Sequence, residues 1–529
     1  MTASATRLTV TEDNRRWWTL GAMCFALFMV MLDNTVVNVA LPSIQRDLQT
    51  SISGLEWTVN AYTLSFAVLL VTGGRLGDIF GRRRVFLFGV VLFALSSGFI
   101  GLAQSDEWLV AGRAVQGIGA AFMMPATLSI ITNAFPPQER GKAIGTWAGV
   151  SALALAIGPV VGGFLVENVS WQSIFFLNLP VAAAAVAVTL FATHESRDES
   201  ATHQVDYAGV ATITVGLAAL VLALVEGNSW GWGSPQILIL FAVAAAGLVA
   251  FAIVERYSRE PMVDFAFFRS RSYFGANVVA FVVSFAMLAM FFFLALYMQN
   301  IKGYSPLQTG VRFLPSTAVI IVVGPIAGRL TDRIGPRPLM TLGLLITGAS
   351  LFWQGHLSTD TSYGFLVGAF VLMGLGMGLV MSPMSAAAMN SVAREKAGVA
   401  SGILSMSRMV GGTFGVAAMG ALITGLGRSR LADLLPTLPA GERDRIAESL
   451  GAGGGTGVPE RVRGAAEEAF VSALNSGLRI AALLAVVGAA IAWALIAPGT
   501  AASAAETEPA PEGAVAAPGG EPVGQPARA

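Results

Sequence analysis

The sequence predicts an all-α integral membrane protein: two six-helix bundles with two further spans inserted between them, about fourteen transmembrane helices in all. Three observations predict it. Of 529 residues, 54% are hydrophobic and only 12% are charged, where soluble domains carry about 25% charged residues, so the apolar surface cannot be hidden in one soluble core. Apolar runs of about 20 residues, each long enough to cross roughly 30 Å of hydrocarbon as a helix, recur along the whole chain. Finally, one basic motif occurs twice, the second time eight runs after the first.

Residues 1–16 are expected to be a short cytoplasmic N-terminus ending in Arg15 and Arg16. The run after them imitates a signal peptide but is too long for one, and it is read as an uncleaved first span. Apolar runs between charged or Pro/Gly-rich breaks place the spans of a first bundle, 17–192, near 17–41, 55–76, 84–104, 107–133, 142–166 and 172–192. The inserted pair, within 207–255, falls near 207–226 and 237–255. A second bundle, 273–497, follows near 273–300, 307–330, 338–356, 363–387, 398–426 and 476–497.

Loop charge orients the spans. Alternate loops hold Arg82, Arg83, Arg84, Arg140, Lys142, Arg256, Arg259, Arg269, Arg271, Arg333, Arg337, Arg394 and Lys396, whereas the short loops opposite offer little beyond Arg46 and Lys302. Lys and Arg in short loops favour the cytoplasm, which puts both termini inside, in the plasma membrane; an odd number of spans would spoil the pattern. Residues 427–475 then form an extracytoplasmic loop, and the helical spacing of Pro459 to Asn475 suggests an amphipathic hairpin on the outer face. Residues 498–529, rich in Ala, Pro, Gly and Glu and without aromatics, are expected to be a disordered cytoplasmic tail.

The repeated motif counts the halves. "GGRLGDIFGRRRV", Gly73 to Val85, is echoed by "AGRLTDRIGPRPL", Ala327 to Leu339. The copies follow spans 2 and 10, which two six-span halves alone would not give, so a 6 + 2 + 6 order is the simplest reading. Glycines 74, 77 and 81 allow close backbone approach, and Gly328 and Gly335 repeat two of them. Asp78, with Asp332 as its echo, can meet an arginine such as Arg82 or the positive end of a neighbouring helix, and such a contact would hold the cytoplasmic side shut.

Several function classes are excluded. A net charge of +0 offers no basic face for nucleic acid. The single Cys24 with three scattered histidines gives neither a disulfide framework nor a zinc spacing, and the only Gly-Lys pair, Gly141-Lys142, is followed by Ala143, so no phosphate-binding loop is present. No cluster of His, Cys and paired carboxylates supports catalysis.

Four stretches in order then carry a resemblance. "LDNTVVNVALP" (Leu32 to Pro42) resembles the first-span motif of the fourteen-span drug:proton antiporters of the major facilitator superfamily. "GGRLGDIFGRRR" matches the loop motif of the superfamily, and "RAVQGIGAA" (Arg113 to Ala121) its fourth-span motif. "GVSALALAIGPVVGG" is similar to the fifth-span antiporter motif, with Gly149, Gly158, Pro159, Gly162 and Gly163 in place. "WQSIFFLNLP" departs from relatives, because Gln172 and Ser173 replace a basic and aromatic pair, which puts a contact at the outer rim in doubt. The resemblance covers Trp17 to about Pro498 and implies the major facilitator fold, with no cofactor and the proton as coupling ion. It also implies that the span 5 bend at Pro159 seals the path in a way suited to exchange.

Depth arithmetic singles out one pair. At about 1.5 Å per residue, Asp33 in outward-running span 1 and Arg113 in inward-running span 4 lie roughly 12 and 9 Å below the outer surface. Charges inside a membrane usually pair or face a polar cavity, so Asp33 is expected to bind the coupling proton and Arg113 to tune it, with Asn34, Asn38 and Gln116 as polar neighbours. Other buried charges are mostly arginines, Arg312, Arg408 and Arg479, which favours neutral, zwitterionic or weakly anionic amphiphiles as substrates. Arg408 is the second-half candidate for the substrate cavity, and pairing with helix carbonyls is its structural alternative. Cavity walls are expected from Trp57, Tyr62, Trp147, Phe291, Tyr297, Met287, Met381 and Met384. Trp230 and Trp232 fit an interfacial belt. The reading is a proton-coupled exporter working as a monomer among membrane lipids; a solute importer or uncoupled facilitator, and less so a membrane sensor, are the alternatives.

Overall fold

The computed structural model describes residues 11–49, 52–198, 206–258, 261, 263–451 and 460–499. Among them the regular structure is helical throughout. The first part contains α1 (Glu12–Leu48), α2 (Ile52–Phe80), α3 (Arg82–Ile100), α4 (Asp106–Ala134), α5 (Pro137–Asn168), the single turn α6 (Ser173–Phe176) and α7 (Asn178–Ala192). Next come α8 (Tyr207–Trp230) and α9 (Pro235–Tyr257). The rest is α10 (Arg271–Leu296), α11 (Pro306–Ile334), α12 (Pro336–Gln354), α13 (Tyr363–Asn390), α14 (Ala397–Leu434), α15 (Ala440–Gly451) and α16 (Arg463–Leu495). Twelve helices among the described residues are long and apolar enough to cross a membrane. Fourteen spans were expected; α5 and α12, helices of 32 and 19 residues, are not among the twelve.

The ends of these helices follow local chemistry. Ser105, Ser234 and Ser270 accept an amide of the first turn of α4, α9 and α10, and Asp206 does so for α8. The turns α2–α3 and α11–α12 rest on Gly81 (φ +107°) and Gly335 (φ +83°), equivalent positions of the two motif copies, in a backbone conformation that side chains with a Cβ avoid.

Packing repeats as the motif does. In the first part α1 lies against α4, α5 and α7, and α4 against α2 and α3. In the last part α10 lies against α13, α14 and α16, and α13 against α11 and α12. Two seams join the parts, α5 on α11 and α2 on α14. The hairpin of α8 and α9, closed where Gly216 and Gly247 bring their backbones together, packs through α8 on α2 and α14 and so lies over one seam only.

The expected hairpin at 459–475 is not formed. From Arg463 onward this stretch is the beginning of α16. Ala466, Ala469, Phe470, Ala473 and Leu474 are buried at helical spacing and run directly into Gly477 and Leu478, so nothing interrupts the apolar stripe. The separate helix in the loop is α15, whose Ile446, Ala447 and Leu450 are buried beside the extended end of α14. Residues 1–10, the centre of the loop (452–459) and the tail beyond Gly499 lie outside the described residues.

Candidate functional site

Asp33 on α1 and Arg113 on α4 meet inside the first half. Arg113 Nη1 lies 2.6 Å from Asp33 Oδ2, and both side chains are at most 1% exposed. The other carboxylate oxygen accepts from Gln116 Nε2 and Asn178 Nδ2, each at 3.0 Å. Arg113 also donates to Gln116 Oε1 at 2.6 Å and to the Thr58 carbonyl at 3.1 Å, with the Tyr62 ring 4.2 Å from its guanidinium carbon. Asn178 continues to Ser97 Oγ, which donates to the Phe175 carbonyl. Helices α1, α2, α3, α4 and α7 thus converge on one carboxylate, whose charge is matched by an arginine and two amides. All three of these contacts are donated to the carboxylate, and Arg113 in addition holds the Gln116 and Thr58 oxygens.

Asn178 was not expected there. It stands in "WQSIFFLNLP" as a lone amide in an apolar run, the signal that a polar residue inside a span seeks a buried partner. Asn34 donates to the Val30 carbonyl at 3.0 Å, and the side chains of Asn38 and Pro159 lie outside the described residues. At the altered span 6 motif Trp171 and Gln172 both donate to Asp47 on α1.

The two motif copies tie the halves together at one end of the bundle, the end expected to be cytoplasmic. Asp78 accepts from Arg82 Nε (2.9 Å) and Nη2 (2.6 Å), and across the seam from the amides of Gly398 (2.9 Å) and Val399 (2.8 Å) in the first turn of α14. Both expected partners, an arginine and a helix N-terminus, are used at once. Arg82 reaches across as well, to the carbonyls of Arg394 and Glu395. In the second copy Asp332 accepts from the amides of Gly141 (3.0 Å) and Lys142 (3.2 Å) near the start of α5. Pro336 stands where the first copy has Arg82, so among the described residues Asp332 pairs with no arginine, and it is only half-buried. Ser401 to the Pro125 carbonyl and Ser382 to the Gly141 carbonyl close the same side further.

The glycines divide by what they touch. A Cβ on Gly74 would strike the Gly398 carbonyl, and one on Gly328 the Gly141 carbonyl, so both seams depend on bare backbone. Gly77 does not serve this purpose: a Cβ there would make ordinary contact, 3.8 Å from Arg82 Cγ. In the fifth-span motif, Gly158 and Gly162 press on Thr35 and Val36 beside Asp33, whereas Gly149 has ordinary contact with Ile321 and Gly163 has open space. Gly145, not singled out from the sequence, packs on the Gly324 carbonyl; the four-residue spacing of Gly141 with Gly145 and of Gly324 with Gly328 was its signal.

The family model described as Major Facilitator Superfamily matches residues 23–416. The chain belongs to the Major Facilitator Superfamily. It is 36% identical over 494 residues to the tetracenomycin C resistance and export protein of Streptomyces glaucescens, covering 90% of this chain and 91% of that protein. It is 39% identical over 406 residues to the multidrug resistance protein Stp of Mycobacterium tuberculosis, covering 77% of this chain and 75% of that one. Its fold matches the proton:xylose symporter XylE bound to 6-bromo-6-deoxy-D-glucose with a TM-score of 0.63 at 12% identity, over 93% of this chain and 98% of that one. This member of the superfamily is therefore a multi-pass membrane protein of a transporter family, not of an enzyme family.

Within that architecture the expected cavity residues separate. Trp57, Met287, Phe291, Met381 and Arg408 are partly exposed. Phe291 stacks edge-on against Phe313 at 4.9 Å, and Phe313 against Phe370 at 5.2 Å, linking α10, α11 and α13. Tyr62 and Gln116 are sealed into the Asp33 cluster and do not line an open space. Trp147, Tyr297 and Met384 are likewise buried, because they lie on faces turned toward neighbouring helices; Tyr297 donates to the Ser358 carbonyl at 2.6 Å.

Proposed function

We propose that the protein exports amphiphilic small molecules in exchange for protons by alternating access. Asp33 takes and releases the coupling proton, and Arg113 sets how tightly it is held. The observation that carries this reading is the buried Asp33–Arg113 pair with its amide partners, an ionisable cluster inside the helix bundle of a membrane protein. Two relatives are a tetracenomycin C resistance and export protein and a multidrug resistance protein, which supports export as the direction. Separation of the halves at Asp78 and Asp332 would open the cytoplasmic side, and their contacts across both seams support a rocking exchange between two closed arrangements.

In this reading α5 and α12 also cross the membrane, giving fourteen spans in a 6 + 2 + 6 order, with both termini cytoplasmic in the plasma membrane and one chain as the working unit. Purified protein in liposomes with an imposed pH gradient, offered a panel that includes tetracenomycin C, tests it. Compound and protons should move in opposite directions. Movement in the same direction would favour an importer, and flux indifferent to the gradient an uncoupled facilitator.

A further inference from the structure

Most arginines within the spans are held by protein partners. Arg113 is taken by Asp33, and Arg82 by Asp78. Arg312 lies 3.7 Å from the Tyr304 ring and donates to the Gln308 carbonyl, and Arg479 donates to the Gly355 carbonyl. Arg408 differs. Among the described residues it makes no hydrogen bond, ion pair or ring contact, and its nitrogens are not among the polar atoms sealed from solvent. The carbonyl pairing that would make it a packing device is absent among those residues.

Helix period says where it faces. Ser401, seven residues earlier on α14, donates to the Pro125 carbonyl of α4 in the other half. Seven residues are about two turns, so Arg408 lies on the same face roughly 10 Å farther toward the outer side. Gly415, seven residues beyond Arg408 and so also on its face, and Gly411, about 60° to one side, press on the α10 backbone at Phe285 and Phe281. Arg408 therefore stands on the face where α14 passes from its contact with α4 to its contact with α10, and is partly exposed there. Arg113 stands roughly 18 Å along α4 from Pro125 in the same direction, but its acid partner is already saturated.

An unneutralised guanidinium at this depth is costly and presents a planar fork suited to a carboxylate. We infer that Arg408 binds the anionic group of the exported amphiphile, a carboxylate or a group of like charge, while the apolar body rests on partly exposed methionine and aromatic side chains such as Met409, Met287 and Phe291. This rests on the transporter reading but not on its proton coupling.

Binding in detergent, without any gradient, tests it separately. The probes are 1-pyrenebutyrate and the neutral 1-pyrenebutanol, followed by quenching of tryptophan fluorescence. The protein should prefer the carboxylate by about tenfold or more, as a charge-assisted bidentate contact provides. Arg408→Gln should abolish that preference without changing affinity for the alcohol, and Arg408→Lys should keep part of it. An unmodified protein without preference, or an Arg408→Gln variant that weakens both probes alike, would overturn the inference. If Arg408→Gln does not fold, Arg408→Lys decides, and an unchanged preference there counts against the proposal. A normal carboxylate preference together with gradient-independent transport would refute proton exchange alone.

Discussion

Replacing Asp78 by Asn should loosen the contact between the halves, and the bonds it makes set the size of the effect. Asp78 accepts two hydrogen bonds from Arg82 and two amide bonds from α14, and the Arg82 side chain is only 1% exposed. Breaking one partner of a buried ion pair costs about 3–5 kcal/mol. The lower end applies, because Arg82 keeps the carbonyls of Arg394 and Glu395. Once the halves separate the pair meets water, where the same loss costs at most about 1 kcal/mol. The difference, about 2 kcal/mol, falls on the closed arrangement and shifts the closed-to-open ratio by roughly thirtyfold. Asp332 holds only two amides and is half-buried, so Asp332→Asn should shift the ratio only about fivefold. Spin labels at Arg84→Cys and Ala393→Cys, both exposed, in a Cys24→Ala background would report the distance between the halves by double electron–electron resonance. A longer-distance population should appear with Asp78→Asn. An unchanged distribution, or a larger effect from Asp332→Asn, would refute the reasoning.

Gly158→Ala should cost about 1–3 kcal/mol and slow transport, because the new Cβ overlaps the Thr35 hydroxyl; Gly163→Ala, with open space, should be near neutral in melting temperature and flux, and equal effects would contradict the packing. Outside the spans, the Lys396 ammonium 2.7 Å from Asp264 holds that carboxyl below the usual carboxylate range. Because the folded group is the stronger acid, its contribution is complete above about pH 4 and is lost only as pH falls further. With the two side chains 41% and 37% exposed, the link is worth less than about 1 kcal/mol. Asp264→Asn should therefore lower the melting temperature slightly and equally at pH 5.5 and pH 8, and a loss that grows between those values would contradict the assignment.

That Asp33 and Arg113 stand level enough to meet was legible because helical rise is constant, so counting residues along two antiparallel helices aligns their side chains. The turns at Gly81 and Gly335 were legible for a similar local reason, since a repeated motif carries its backbone requirement with it. What counting does not reveal is the direction a side chain takes around its helix. Trp147, Tyr297 and Met384 have the chemistry of cavity walls and are buried, while Tyr62 is enclosed by the arginine it stacks on. Asn178 escaped notice because the break at Leu177 between α6 and α7 positions the start of α7 by tertiary packing. The helical spacing of 459–475 suggested a separate surface hairpin, because spacing alone does not show where a helix ends; from Arg463 onward the buried alanines run straight into α16.

The central claim is that the proton on Asp33 moves with each transport cycle. Asp33→Asn, reconstituted in liposomes, tests it most directly, because the amide keeps the shape and can still accept from the Gln116 and Asn178 donors. Transport driven by an imposed pH gradient should be abolished while exchange of bound compound across the membrane at equal pH continues. Undiminished gradient-driven export by Asp33→Asn would contradict the account.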